Sequence, residues 1–318
     1  MNSLFPAHYK LHNYLQSALL LAGMLGLLSL VGWLLAGPEG IGWFIVAGVF
    51  IFISAPRVTP AYILRLHRAQ VLDASDAPQL YEMVHWLTKR AGMKAMPVLY
   101  YIPSSSINAF TTGLNKNASI ALSDGMLRQL NTRELSGVLA HEISHVSRND
   151  LLVMMVADVI SRLTSIMAFA GYLLIWIYIP LFIFSGEKAP WLLLIILMTA
   201  PTFSILMQLA LSRANEFNAD VEAAKLTGDP LGLASALEKI DYYQGSLIQR
   251  IFSPAQRMHE PVFFRTHPLM IDRVNRLKQL ANTMRTSDSS PDFAESQNWL
   301  KFPAPGHFPR RRYPGLWH

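Results

Sequence analysis

Five consecutive residues, His141-Glu142-Ile143-Ser144-His145, carry the strongest chemical signal in this chain of 318 residues. In a helix the two histidines stand four residues apart on one face. Two imidazoles so placed can share a zinc ion, and the glutamate between them can take a proton from water activated by the metal. That is the chemistry of metal-assisted peptide-bond hydrolysis. Two histidines leave such a centre one protein ligand short, because a catalytic zinc takes three and keeps one position open. The best source of a third is Arg213-Ala214-Asn215-Glu216-Phe217-Asn218-Ala219-Asp220. Glu216 and Asp220 are also four residues apart. One can bind the metal while the other accepts the N–H of a ligating imidazole and fixes its tautomer.

These residues need elements that hold them near one another and in reach of water. Asp124, Arg128, Arg133 and Glu134 precede the histidine box, and Ser147, Arg148, Asn149 and Asp150 follow it. So polar a setting places the box on a water-accessible helix beside a membrane rather than inside one. Asn131-Thr132-Arg133-Glu134 opens that helix as a capping box. The helix is expected to run on into an apolar span.

The membrane itself follows from composition. Hydrophobic residues make up 52% of the chain and charged residues only 15%, against about 25% charged in soluble proteins. Four apolar stretches are expected to cross a bilayer: residues 14–36, 41–55, 163–184 and 191–211. The second is short for a span of about 20 residues. Gly37-Pro38-Glu39-Gly40 makes a tight turn in the first pair, and 185–190 a short one in the second. Lys10, Arg57, Arg65, Arg68, Arg148, Arg162 and Arg213 flank the inner ends, and the outer turns hold only Lys188. The bias of Lys and Arg toward the cytoplasm then places both termini and both polar segments on that side. The N-terminal stretch is longer than a signal-peptide core and reads as a retained anchor.

The chain thus divides into a membrane hairpin (1–56), a first polar segment (57–162), a second hairpin (163–211), a second polar segment (212–285) and a basic tail (286–318). In the first polar segment, Asp76-Ala77-Pro78 starts a helix whose stripe is Leu80, Met83, Val84 and Leu87, with Gly92 at its end. Residues 97–102 read as a strand, and 107–114 with 118–122 as a hairpin around Asn115-Lys116-Asn117. The second polar segment reads as helical. The tail, with Arg310-Arg311-Arg312, has the composition of a disordered segment.

Other chemistries are excluded or set aside. There is no cysteine, so a metal site must use His, Asp and Glu. A net charge of +6 is too small and too scattered for a nucleic-acid surface, and no nucleic-acid-binding pattern accompanies it. Asp158 and Arg162 read as an ion pair at the membrane interface. His8, His12, His67, His85, His259, His307 and His318 share no spacing with a carboxylate.

The histidine box, a membrane hairpin and then S-R-x-x-E-F-x-A-D together resemble the HtpX-like integral-membrane zinc metalloproteases, relatives of the prenyl-protein proteases. Asn108-Ala109-Phe110 is similar to that family's substrate-binding edge strand, and Thr266-His267-Pro268 with Arg273 to its late His-Pro motif. The match covers residues 5–285 and leaves the tail unexplained. It implies a mostly α membrane protein: four transmembrane helices and a cytoplasmic α+β catalytic domain of the zincin-like, gluzincin type. It implies one zinc ion per chain, held by His141, His145 and Glu216. Glu142 would be the general base and then the acid. Asp220 and Arg213 would stand behind the ligands, and Asn108, Ala109 and Phe110 would pair with an extended polypeptide. His267 would stabilise the oxyanion or brace the site. The resemblance implies removal of misfolded or damaged membrane proteins at the cytoplasmic face of a cell (inner) membrane.

Two other functions fit parts of this pattern. A narrow protease for prenylated C-termini would need an apolar chamber, which four spans make hard to build. A transporter with a structural zinc would need polar residues aligned along several spans. Only short stretches such as Thr164 with Ser165 and Thr202 with Ser204 appear, and no charges lie in mid-span.

Overall fold

A computed structural model describes residues 7–54, 60–114, 117–185, 190–251 and 270–286. His267, the 186–189 turn and nearly all of the tail lie outside them. Among the described residues, three helices are long and apolar enough to cross a membrane: α1 (Ala7–Ser54), α6 (Asp150–Ser185) and α7 (Trp191–Thr227).

Straight, the 48 residues of α1 would reach about 72 Å at 1.5 Å per residue, more than twice the roughly 30 Å hydrocarbon core. They do not run straight. Ala36 and Gly37 leave helical geometry, Gly37 with φ of 64°, which glycine alone adopts without strain. Pro38 then sits in the first turn of the second arm, where its missing N–H costs nothing. The arms fold back so closely that a Cβ on Gly40 would strike the carbonyl of Gly32. Met24 and Leu28 of the first arm and Phe44 and Ala47 of the second pack in one cluster with Ala157, Ile160 and Leu163 of α6 and Leu211 of α7. The expected turn is therefore present, centred at its first residue rather than spread across four.

Helices α6 and α7 lie close because their shared face is small and polar. A Cβ on Gly171 would come within 2.8 Å of the Leu197 side chain. Ser161 Oγ lies 3.1 Å from Ser204 Oγ and donates to Gln208 Oε1 at 2.8 Å. In lipid such hydrogen bonds and close packing hold helices together, since hydrocarbon offers no hydrophobic gain for their meeting. Outward, α1, α6 and α7 expose Trp43, Phe50, Phe169, Trp176, Phe184 and Leu192, a surface suited to lipid. Arg162 and Asp158 form the expected exposed ion pair at 2.7 Å.

The remaining elements form an α+β unit. α2 (Pro60–Leu66) precedes a four-stranded sheet of β1 (Gln70–Val71), β2 (Val98–Ile102), β3 (Ala109–Thr112) and β4 (Ser119–Ser123). The order is β1-β2-β4-β3, with β2 and β4 parallel and the other pairs antiparallel. The expected hairpin is β3–β4, and β3 is an edge strand. One sheet face carries Leu99, Ile120 and Leu122 into the main core, with Leu80, Val84 and Leu87 of α3 (Pro78–Arg90) and Leu135, Leu139 and Ile143 of α5 (Thr132–Arg148). The opposite face carries Ile102 and Ala121 against Leu64 of α2. The short α4 (Asp124–Gln129) links β4 to α5, and α8 (Pro230–Ile251) and α9 (Met270–Thr286) close the core.

One expectation fails. Helix α5 does not continue into the apolar span. It ends at Arg148, and Asn149 takes a left-handed conformation (φ 56°, ψ 34°) before α6 starts at Asp150. Asparagine tolerates that conformation, and its N–H caps the carbonyls of His145 and Val146.

Candidate metal centre and its surroundings

Helix α5 is held from outside the site. Asn131 Oδ1 accepts the Glu134 N–H, and Glu134 Oε2 accepts the Asn131 N–H, both at 2.9 Å. This is the expected capping box. Glu134 also accepts from Ser235 at 2.6 Å and from Lys239 at 2.7 Å, both on α8. Burial pushes the Glu134 carboxyl up, but these partners outweigh it and hold it below the usual carboxylate range. Gly137 lets α8 approach, since a Cβ there would lie 2.9 Å from the Leu233 backbone. With Leu135, Leu139 and Ile143 in the core, the adjoining face of α5 is fixed in direction. It presents His141, Glu142 and His145.

Helix α7 supplies the other half. It runs unbroken from the apolar stretch to Gly228, whose φ of 73° ends it. Glu216 and Asp220 are buried on its face toward α5. His141 Nε2 lies 3.2 Å from His145 Nε2 and 3.5 Å from Glu216 Oε2, and His145 Nε2 lies 3.7 Å from Glu216 Oε1. One donor atom from each of the three falls within 4.8 Å of the others. Ligands bound at about 2.0 Å in a tetrahedron stand roughly 3.3 Å apart, so the trio fits a zinc-sized ion.

The surroundings favour a cation there. His141 Nδ1 lies 3.0 Å from Asp220 Oδ1. Burial pushes the His141 imidazole down, yet hydrogen bonds to Asp220 and Glu216 outweigh it and lift it to about 9. Arg273 of α9, 2% exposed, donates to both oxygens of Asp220 at 2.6 and 2.8 Å and pairs with Glu216 Oε2 at 2.9 Å. Burial raises the Asp220 carboxyl and the arginine lowers it further, leaving it below its usual range.

The sequence profile of Peptidase family M48 matches residues 74–281, a stretch that contains all of these groups. The chain belongs to peptidase family M48. It is 35% identical over 292 residues to a protease HtpX homolog of Thermococcus sibiricus, covering 85% of this chain and 97% of the relative. It is 32% identical over 291 residues to one of Paraburkholderia phytofirmans, covering 86% and 99%. Among solved structures it is similar to S. mikatae Ste24p, with a TM-score of 0.48 and 21% identity. That match covers 82% of this chain and 62% of the other, so the chain spans less than two thirds of that structure's length. The expected kinship is shown. This M48 peptidase is an HtpX-like metalloprotease, and its long apolar helices make it a multi-pass membrane protein.

The other expected site residues divide into those that meet this cluster and those that do not. Glu142 Oε2 accepts a 2.6 Å hydrogen bond from Thr111 Oγ1 on β3, so the edge strand and the glutamate are tied together. Asn108 precedes β3; its C=O accepts the Ser123 N–H at 3.0 Å and its N–H donates to the Ser123 Oγ at 2.9 Å. Ala109 shares the face of Thr111 and borders the core. Phe110 points the other way, because side chains alternate along a strand. Its ring packs beside Ala121 and His67, 5.2 Å from the His67 ring. Phe110 therefore anchors the strand from behind, and its backbone faces Ala121 of β4, leaving the outer edge to the backbone of Ala109 and Thr111.

Arg213 does not stand behind His141, His145 and Glu216. Its side chain is exposed on α7, and the guanidinium at the site belongs to Arg273. That role was illegible because 132 residues separate Arg273 from His141. Asp150 is the other residue that spacing did not single out. Its Oδ2 lies 2.8 Å from His145 Nδ1, and its Oδ1 accepts from Arg148 Nη2 at 3.2 Å. Asn followed by Asp at a helix end is the signal that would have found it.

Proposed function

We propose that this metalloprotease binds one zinc ion through His141, His145 and Glu216 and cleaves polypeptides with Glu142 as its proton carrier. The observation that carries this is the placement of Glu142. It lies between the two histidines in sequence and is bonded through Thr111 to the open edge strand. A donor set of two imidazoles and a carboxylate, with no cysteine in the chain, suits zinc. When bound, the metal supplies Lewis-acid polarisation of the scissile carbonyl and activation of the attacking water.

The chain's own residues do the rest. An extended substrate adds to the outer edge of β3 through the main-chain groups of Ala109 and Thr111, since those of Asn108 and Phe110 face β4. That pairing sets a peptide carbonyl beside Glu142. Glu142 takes a proton from the attacking water and returns it to the leaving nitrogen. Asp220 holds His141 by its Nδ1 and is itself held by Arg273.

We further infer four membrane crossings, two of them by the arms of α1, with both termini and the site in the cytoplasm beneath an inner membrane. The Lys and Arg distribution supports that orientation. The substrates are then misfolded or damaged membrane proteins with loops in reach of the site, surrounded by the same lipid bilayer.

The test uses detergent-purified protein stripped of metal. Zinc is added with an unfolded model protein, and Glu142→Gln is run in parallel. Zinc-dependent cleavage lost by about 10³-fold or more in the variant is the expected result, as for loss of a proton carrier with further chemistry behind it. Equal cleavage by both proteins would overturn the role of Glu142. Since the chain has no cysteine, single introduced cysteines report topology. Glu39→Cys should react with an impermeant thiol reagent from outside the cell, and Asp229→Cys should not.

A further inference from the structure

We propose that Asp150 is a positioning residue for the metal site: it fixes the tautomer and ring direction of His145, and the left-handed turn at Asn149 is what brings it there. The proposal rests on the reading of His141, His145 and Glu216 as metal ligands. In one continuous helix, the fifth residue after His145 would lie roughly 140° around the axis from it. Its carboxylate would face away from the ring. The break at Asn149 changes that. Asn149 ends α5 with φ of 56° and caps the carbonyls of His145 and Val146. The chain then starts α6 along a new axis, and Asp150 Oδ2 comes to 2.8 Å from His145 Nδ1.

The consequence for His145 is directional. With its proton on Nδ1, the ring donates to Asp150 and keeps the Nε2 lone pair free. Nε2 is the atom that faces His141 and Glu216. Asp150 is 6% exposed, and its second oxygen is taken by Arg148, so the carboxylate has little freedom to turn away. The arrangement repeats, on other elements, what surrounds His141. There Asp220 meets Nδ1 and Arg273 holds Asp220. Each ligating histidine thus has its own carboxylate, and each carboxylate its own arginine. The plainer role for Asp150, an acid in the first turn of α6 that favours the helix dipole, needs no contact with a ring nitrogen.

The test is metal affinity, measured in the Glu142→Gln background so that self-cleavage does not intrude. Zinc dissociation constants are read by competition with a chromophoric chelator, and the ligand field by the visible spectrum of the cobalt-substituted protein. Asp150→Ala should bind zinc about 10- to 100-fold more weakly and shift the cobalt bands. Asp150→Asn keeps shape and an acceptor oxygen but not the charge. It should lose only about 3- to 10-fold, and it decides the matter if the alanine variant does not fold. Affinity within twofold of the parent with unchanged cobalt bands, in whichever variant folds, would overturn the proposal. So would a lower melting temperature of the metal-free variant at unchanged affinity, which is the signature of a helix-start role alone. Failure of the Glu142→Gln parent to bind zinc would overturn the ligand reading itself and Asp150 with it.

Discussion

Two helices lead from the apolar part of the molecule to the metal site, and they arrive differently. Helix α7 passes from its apolar stretch to Glu216 and Asp220 without a break. Helix α6 starts at the site, with Asp150, after the chain has left α5 through a left-handed residue. The unbroken route sets two carboxylates one turn apart, so the direction of one dictates that of the other. The broken route uncouples the histidine face of α5 from the lipid-facing pattern of α6. The difference shows why a single long α5–α6 helix would fail here. The rotation that suits lipid along α6 and the rotation that points two imidazoles at α7 need not agree, and one left-handed residue lets each be set alone.

The largest effect is expected from breaking the unbroken route. One alanine inserted after Ser212 would turn Glu216 and Asp220 by about 100° relative to the apolar part of α7. Stoichiometric zinc binding and cleavage should both disappear. Detection of one bound zinc per chain by elemental analysis would mean that α7 can rotate freely, and the comparison would fall.

Next in size is the contrast between the two arginines. Arg273→Ala takes the guanidinium away from buried Asp220 and Glu216, at a cost of roughly 3–5 kcal/mol. The metal-free protein should melt well below the parent and regain part of the difference when zinc is added. Arg148→Ala, on the broken route, removes one 3.2 Å bond and leaves Asp150 its contact with His145, so it should cost less, about 1.5 kcal/mol. Thermal melting followed by tryptophan emission compares them, and equal losses would show that the two routes are not distinct.

A smaller effect sharpens the junction. Asn149→Val forces a β-branched residue into left-handed geometry, a cost of about 1–3 kcal/mol. It should weaken zinc binding along with stability, whereas Asn149→Gly should preserve the affinity. The smallest effect tests an anchor that belongs to neither route. Glu134 titrates below the usual carboxylate range when folded, so its contribution is complete above its unfolded value and is lost as the pH falls through the folded one. Glu134→Gln should therefore be less stable than the parent at neutral pH, by about 1–2 kcal/mol. The gap should narrow in acid, with zinc affinity at neutral pH unchanged.

The sequence made the local parts of this site readable. The i,i+4 pairs, the capping box and the apolar stripe of α3 are periodic, and periodicity names a helix face without any partner. The Gly-Pro turn of α1 was readable for the same reason, since backbone chemistry at Gly37 and Pro38 acts within a few residues. What could not be read depends on which neighbour covers a face. Arg213 and Arg273 are alike as residues, and only the packing of α9 against α7 decides which one meets the carboxylates. Phe110 sits in the right strand, but the register of β3 on β4 turns its ring to the back of the sheet. The end of α5 was missed because apolar residues resume soon after it, and a period shared by two helices hides the single residue between them.

The hydrogen-bonded contact of Ser161 with Ser204 and Gln208 has a practical corollary for anyone handling the purified enzyme. Glu216 rides on a rod whose other end is immersed in lipid. A tilt of about 10° around Ser204, roughly 18 Å away along the helix, would carry its carboxylate about 3 Å, as far as neighbouring ligands of a zinc ion stand apart. A solubilising agent that merely keeps the protein dispersed is therefore insufficient. It must press α6 and α7 together as a bilayer does, and loss of activity on extraction is better countered by changing the amphiphile than by adding metal.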